Sequence, residues 1–190
     1  VLDRRIAVPE LVGDHRDFLI VSGLAGTSRD MAAITDDAAH LFTMAGAMGA
    51  ATSLGLGLAL GQPDRKVLVV TGDGELLMNV GTLATVAALN PGNLAILCVD
   101  NCRYAETGHQ PSHTEMGTDL EKMAKGAGIP ETRTIYTEDQ IADASTFLHT
   151  NGNARLVVVR VTPADPPAYK RQLDPAICRL RFREALLGHS

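Results

Sequence analysis

The sequence predicts a doubly wound α/β fold, a mainly parallel sheet with helices on both faces. Two observations carry this expectation. Four short runs are continuously apolar and rich in β-branched residues: "DFLIVS" (17–22), "KVLVVT" (66–71), "LAILCVD" (94–100) and "ARLVVVRV" (154–161). Strands read this way when both faces of a parallel sheet are covered. The stretches between them are helical in pattern, so strand and helix alternate along the chain, as crossover connections in a parallel sheet require.

The elements follow in order. After the first strand a helix is expected over 28–34. The uncharged stretch "LFTMAGAMGAATSLGLGLALG" (41–61) is long enough to be weighed as a membrane span. Its Gly, Ala, Ser and Thr content instead predicts a buried helix over 47–60 whose small residues let its backbone approach a sheet. The strand at 66–71 leads to a helix over 75–89, and the strand at 94–100 to a helix over 118–127. "RTIY" (133–136) is a weaker strand candidate, followed by a helix over 137–149 and the last strand. "TPADPPAYKRQLDP" (162–175) is a proline-rich exit, and "AICRLRFREALLG" reads as an amphipathic helix packed outside the sheet or on a partner. Residues 1–190 are expected to form one domain, with 162–190 its C-terminal extension.

Composition narrows the function classes. With 190 residues, 45% hydrophobic and 21% charged, the chain can bury a sizeable core. A net charge of -5 without a basic run argues against nucleic-acid binding and favours small-molecule chemistry. Cys98, Cys102 and Cys178 form no CxxC pair, so no disulfide framework or four-cysteine cluster is expected, and a cytoplasmic setting fits. No leader pattern opens the chain, which begins at Val1.

The chemistry gathers at two strand ends. "VVTGDGELLMN" (69–79) places Asp73 between two glycines where a strand gives way to a helix. Ligands of open α/β sheets bind at such carboxyl ends. Gly72 and Gly74 allow a tight turn, and the following helix offers unpaired N–H groups to an anion. "CVDNCRYAETG" puts Asp100 and Asn101 at the next strand end, with Asn101 28 positions beyond Asp73. Oxygen ligands at adjacent strand ends beside an anion-receptive helix predict Mg²⁺ or Ca²⁺ bridging a phosphate.

The order of GDG, helix, strand and Asn resembles the signature of thiamine diphosphate-dependent enzymes, in the domain that binds the cofactor's pyrophosphate. The resemblance runs over about residues 17–161. It implies thiamine diphosphate and Mg²⁺ as cofactors. Asp73 and the Asn101 side chain, with the carbonyl of Arg103, are the implied metal ligands. Backbone N–H groups of Gly74, Glu75, Ala105 and Glu106 are implied to face the diphosphate, Gly72 and Tyr104 to belong to the same cofactor-binding loops, and Ser28 in "SGLAGTSRDM" to act as N-cap or phosphate contact. "TMAGAMGAATSLGLGLAL" resembles the helix before GDG, so Met48 is implied to wedge beneath the bent cofactor and the Gly46 carbonyl to accept its 4′-amino proton. Asp100 replaces the first Asn of the usual pair, a position associated with loop hydrogen bonding rather than the ion.

Within that family, "GDGELLMNVGTLATVAALNPGNLAILCVDNCRYAETGHQPSHT" and "AKGAGI" are similar to the sulfopyruvate and phosphonopyruvate decarboxylase group. The implied activity is decarboxylation of an anionic three-carbon 2-oxo acid. Tyr104, Thr107, His109, Gln110 and His113 follow Asn101 where the family places its cofactor-covering loop, and His109 and His113 are candidates for substrate contact or proton delivery. Cys102 reads as packing, and His15, His40, His149 and His189 receive no role. The family also needs a glutamate at the pyrimidine N1′, carried on a second domain. No glutamate here lies in that context, so an α-type partner subunit is expected to supply it, together with some homo-association. The alternatives are a cofactor-binding subunit of a carboligase or 2-oxo acid oxidoreductase, and a regulatory subunit without turnover.

Overall fold

A computed structural model describes residues 1–188. In chain order the larger elements are α1 (Arg4–Val12), β1 (Phe18–Ser22), α2 (Gly26–Thr35), β2 (Leu41–Thr43), α3 (Ala51–Gly61), β3 (Lys66–Gly72), α4 (Asp73–Met78), α5 (Thr82–Leu89) and β4 (Leu94–Asp100). A small hairpin follows, β5 (Arg103–Tyr104) and β6 (Gln110–Pro111), then α6 (Leu120–Ala127), β7 (Glu131–Ile135), α7 (Ile141–His149), β8 (Arg155–Arg160) and α8 (Pro175–Leu187). Six strands form one sheet in the order β2-β1-β3-β4-β8-β7, every neighbouring pair parallel.

Alternation along each strand divides the core into two layers. Ile20, Leu68, Val70 and Leu97 point to the face covered by α1, α2 and α7. Leu19, Val21, Val67, Val69 and Ile96 point to the face covered by α3, α5 and α6, with Phe182 of α8 at its edge. The doubly wound fold is therefore as the sequence predicts. The chain leaves β1 towards β2 on one side and leaves β3 towards β4 on the other. The carboxyl ends of β1 and β3 thus flank a topological switch point, where the diverging loops leave a crevice.

Several expected boundaries shift. The helix expected over 47–60 begins only at Ala51, because Gly46 and Gly49 take φ of 91° and 87° and turn the chain first. Met48 accordingly lies in a loop. The helix expected over 75–89 is two helices, broken at Asn79–Gly81, where the Asn79 side chain leaves the helix to donate to the Gly49 carbonyl at 3.2 Å and to Ser53 Oγ at 3.3 Å. The segment 41–61 supplies β2, that glycine turn and an 11-residue helix about 16 Å long. Among the described residues no helix is long and apolar enough to cross a membrane.

The β5–β6 hairpin, α1 and β2 were not foreseen. α1 interrupts its pattern with Pro9, yet Ala7, Val8, Leu11 and Val12 are buried at helical spacing and Asp3 caps the first turn through Arg5 N at 2.9 Å. β2 is a three-residue edge strand hidden in the uncharged stretch. The C-terminal helix forms as expected, but it is not cleanly amphipathic. Cys178 and Phe182 face inward, with Phe182 edge-on to Phe42 at 5.7 Å, while Ile177, Leu180 and Leu187 remain exposed.

Small residues in α3 set its distance from the sheet. A Cβ on Gly55 would lie 2.1 Å from Val69 Cγ2, whereas one on Gly57 would meet nothing within 4 Å. Gly55→Val should therefore destabilise the fold by about 1–3 kcal/mol through overpacking. Gly57→Ala should instead stabilise it by up to about 1 kcal/mol through helix propensity. Thermal denaturation of the two variants checks the contrast, and equal melting temperatures would contradict this packing.

Candidate active site

Loops from the ends of β1, β3 and β4 surround a cleft of about 510 Å³ at the switch point. The loop after β1 is held by a buried carboxylate. Glu75 is 5% exposed, and its Oε2 accepts the Leu24 N–H at 3.0 Å. The carboxylate lies so close to the backbone that a Cβ on Gly23 would be 1.7 Å from Oε2. Only glycine fits there. Oε1 is buried without a partner, and burial raises the Glu75 carboxyl above the usual range. Ala25 takes a φ of 61° and precedes α2 with no side-chain cap, which leaves first-turn N–H groups at the cleft wall.

Asp73 is the first residue of α4 and is 2% exposed. Its Oδ2 accepts the Ser112 hydroxyl and lies 3.1 Å from Thr114 Oγ1, whose single proton is shared with the nearer Asp100 Oδ1. Both contacts fall on one oxygen, which leaves Oδ1 for a ligand. Burial pushes the Asp73 carboxyl up, and the neighbouring Asp100 pushes it further. Asp100 differs in having a cation. Arg160 Nη1 stands 2.6 Å from its Oδ2, while its Oδ1 accepts Thr114 Oγ1 at 2.8 Å and Cys102 N at 3.0 Å. Among the described residues Asp73 has no cationic partner.

Asn101 Oδ1 accepts Arg103 N at 3.1 Å, so Asp100 and Asn101 form two successive side-chain turns that fold the backbone back towards Asp73. The Arg103 side chain turns away to Glu115, at 3.2 Å. Tyr104 lies across the GDG turn, where a Cβ on Gly74 would be 2.3 Å from its Cε1. No group of three His, Cys, Asp or Glu side chains able to hold a metal occurs among the described residues. A carboxylate, an amide oxygen and a loop carbonyl suit a hard ion that takes its remaining ligands from phosphate and water, as Mg²⁺ does. The buried, cation-less Asp73 makes the residues present a fit for such an ion.

Most of the residues singled out in the sequence meet here. Met48, Gly72, Asp73, Gly74, Glu75, Asn101, Arg103, Tyr104, Ala105, Glu106 and Thr107 all line the cleft. Ser28 does not, which corrects its expected role. It is the third residue of α2 rather than the N-cap, and its buried hydroxyl donates to the Ala25 carbonyl at 2.9 Å. Gly46 is exposed in the turn before Met48 and does not reach the cleft wall. His109 and His113 are exposed on the hairpin and also stand outside it, as does Gln110. The hairpin turns outward at Gly108 and His109, which both have positive φ, and His113 Nδ1 lies 3.4 Å from the Tyr104 hydroxyl.

Cys102 is buried beside Asp100, and its thiol is pushed up to about 11, as packing rather than nucleophilic chemistry requires. His15 Nδ1 contacts His40 Nε2 at 2.9 Å and His149 pairs with Asp17, all remote from the cleft, while His189 lies outside the described residues. Sequence reasoning missed Ser112, Thr114 and Arg160, the side chains that set the state of Asp73 and Asp100. The hydroxyl pair in "QPSHT" was the available signal. It also missed Arg4, Arg29 and Arg171, which line the cleft.

Comparison with known proteins agrees with this geometry. Residues 25–160 match the family described as thiamine pyrophosphate enzyme, C-terminal TPP binding domain. The sulfopyruvate decarboxylase subunit beta of Methanocaldococcus jannaschii is 34% identical over 179 residues, covering 94% of this chain and 93% of that one. The phosphonopyruvate decarboxylase of Streptomyces viridochromogenes is 39% identical over 170 residues, covering 88% of this chain but 42% of its own length. The crystal structure of benzoylformate decarboxylase from Polynucleobacter necessarius has the same fold, with a TM-score of 0.67 at 18% identity over 87% of this chain and 34% of that one. The family match over residues 25–160, which contains the GDG turn and the Asp100–Asn101 strand end of the cleft, makes this chain a member of the thiamine pyrophosphate enzyme family, matching its C-terminal, cofactor-binding domain.

Proposed function

We propose that this chain is the cofactor-binding subunit of a heteromeric thiamine diphosphate-dependent decarboxylase of an anionic three-carbon 2-oxo acid, such as sulfopyruvate or phosphonopyruvate. The observation that carries the reading is one of extent. The chain aligns almost end to end with a subunit named beta, yet with less than half of a phosphonopyruvate decarboxylase. That is the relation expected of half of a catalytic unit whose other half is a separate chain. The uncharged α3 and α5, with Leu54, Leu60 and Leu89 exposed and Met78 beside them, offer an apolar face for a partner subunit or for a second copy. The three buried free thiols suit a reducing cytoplasm.

Each residue has a task on this reading. Asp73 Oδ1, Asn101 Oδ1 and the Arg103 carbonyl would hold Mg²⁺. Ser112 and Thr114 keep the Asp73 carboxylate oriented. N–H groups of Gly74, Glu75, Ala105 and Glu106 and the open first turn of α2 receive the phosphate oxygens. Glu75 keeps that turn in place through Leu24. Met48 projects into the cleft from a glycine-hinged loop and would support the ring system, whereas Gly46, outside the cleft wall, is given no contact. When bound, thiamine diphosphate supplies the electron sink that lets a 2-oxo acid lose CO₂. The partner contributes the N1′ glutamate and closes the cleft against water.

Three outcomes test this reading. Asp73→Asn should weaken Mg²⁺-dependent thiamine diphosphate binding by at least the 10–100-fold that losing even an outer-shell partner costs, without unfolding the chain. Calorimetry measures it, and an unchanged affinity would remove Asp73 from the metal site. Met48→Ala should leave binding intact but slow hydrogen-deuterium exchange at the cofactor's C2, while Met48→Leu, of similar volume, should be nearly silent. An alanine variant with the normal exchange rate would exclude Met48 from ring support. The chain alone should not decarboxylate sulfopyruvate, phosphonopyruvate or pyruvate, and should gain activity on addition of an α-type subunit. Turnover by the isolated chain would refute the two-subunit reading.

A further inference from the structure

The proline-rich segment 162–174 is not a slack exit from the sheet. It is fastened along its length. The Asp165 carbonyl accepts Arg5 Nε at 3.1 Å, the Tyr169 hydroxyl donates to Asp36, and Gln172 N donates to Asp37 Oδ2 at 3.2 Å. Pro163, Pro166 and Pro167 restrict its backbone and reduce the entropy lost on ordering it. The segment thereby runs along the cleft, and Asp165, Pro166 and Arg171 become part of its wall.

Arg171 is the anomaly in this strap. Its Nε is buried without a hydrogen-bond partner, and among the described residues no carboxylate forms an ion pair with it. The other cleft arginines are better provided for. Arg4 makes two bonds to Asp30, and Arg103 is paired with Glu115. Arg29, on the first turns of α2, has a single contact with Glu106 at 3.3 Å. Burial, and then the positive charge of Arg29, pull the Arg171 guanidinium below its usual range. Two guanidinium groups therefore line one cleft; Glu106 contacts only Arg29, and the charges of Glu106 and Asp37 offset the burial and repulsion at Arg171 only in part. That arrangement is unfavourable until an anion joins it, and the fork of N–H donors on each group matches a tetrahedral oxyanion.

We propose that Arg171 and Arg29 form an oxyanion cradle at the rim of the cleft, carried there by the proline-rich strap, for a phosphate, phosphonate or sulfonate group. This rests on the reading of the cleft as a thiamine diphosphate site for an anionic 2-oxo acid. Two sources of that group meet in the cleft: the terminal phosphate of the cofactor and the second anionic group of the substrate.

The test compares the wild type with Arg171→Gln, Arg171→Lys and Arg29→Gln in the complex of the full chain with its partner subunit. Calorimetry with Mg²⁺ measures inorganic pyrophosphate and thiamine diphosphate. The cofactor-loaded complex is then titrated with phosphonopyruvate and with pyruvate. A cradle for the cofactor is indicated if Arg171→Gln weakens pyrophosphate and thiamine diphosphate by about 10–100-fold, the loss expected for a charge-assisted bond. A cradle for the substrate is indicated if cofactor binding is unchanged while phosphonopyruvate weakens to that extent and pyruvate does not. Arg171→Lys should fall between, since it keeps the charge and loses the fork. The proposal is overturned if all four ligands bind both glutamine variants within twofold of the wild type, or if cofactor binding is unchanged while pyruvate weakens as much as phosphonopyruvate. Because every readout is a binding measurement, absence of decarboxylation would count against the functional reading without deciding this one.

Discussion

A carboxylate buried at the mouth of a parallel sheet, with no cation beside it, is the constraint around which the rest of this structure is arranged. Leaving a charge such as that of Asp73 out of water costs on the order of several kcal/mol unless something compensates. Asp100 has Arg160 for this purpose, whereas Asp73 has only hydroxyl donors. Thr114 bonds to both carboxylates, so the two acids share one small polar network in which only one is neutralised from within the protein. On the proposed reading a divalent ion would complete the balance. The same turn that buries Asp73 opens α4, so its N–H groups and its carboxylate are delivered together by three residues.

The surrounding loops are held by contacts that leave little room for other residue types. Glu75, two positions beyond Asp73, reaches across the switch point and holds Leu24, and its carboxylate occupies the space where any side chain on Gly23 would be. Arg4 of α1 lies against Gly26 in a comparable way while paired with Asp30 of α2. The position of the β1–α2 loop therefore depends on the β3–α4 turn on one side and the N-terminal helix on the other. Rigid loops with unpaired N–H groups are what diphosphate binding needs, since the donors are ordered before the ligand arrives.

The layered fold was legible because burial on both faces leaves a plain mark in the chain. Runs such as "KVLVVT" and "LAILCVD" have no solvent face, so their hydrophobicity is continuous rather than alternating. The strand ends at the cleft were legible for a related reason: Gly-Asp-Gly and Asp-Asn break the apolar run and mark where each strand gives way to a turn. Less legible were features decided by pairs of distant residues. The break between α4 and α5 depends on Asn79 finding the Gly49 carbonyl, and the loop at Met48 depends on two glycines adopting left-handed conformations within a stretch that otherwise reads as helix.

By itself, then, the sequence determined the sheet, the two strand ends that bear Asp73 and Asn101, and the family to which their spacing belongs, because local composition controls burial and turn formation. It could not show that His109 and His113 stand outside the cleft, His109 in the positive-φ turn of the hairpin and His113 beyond its second strand. Nor could it show that Ser28 spends its hydroxyl on its own helix, or that Ser112 and Thr114 return across 39 and 41 positions to bond Asp73. The arginines were the least visible of all. Arg29 and Arg171 are separated by most of the chain, and nothing in either neighbourhood marks a ligand. Only the folding of the proline-rich strap over the switch point brings their charges to one cleft, and electrostatic meaning arises from that proximity in space rather than from order along the chain.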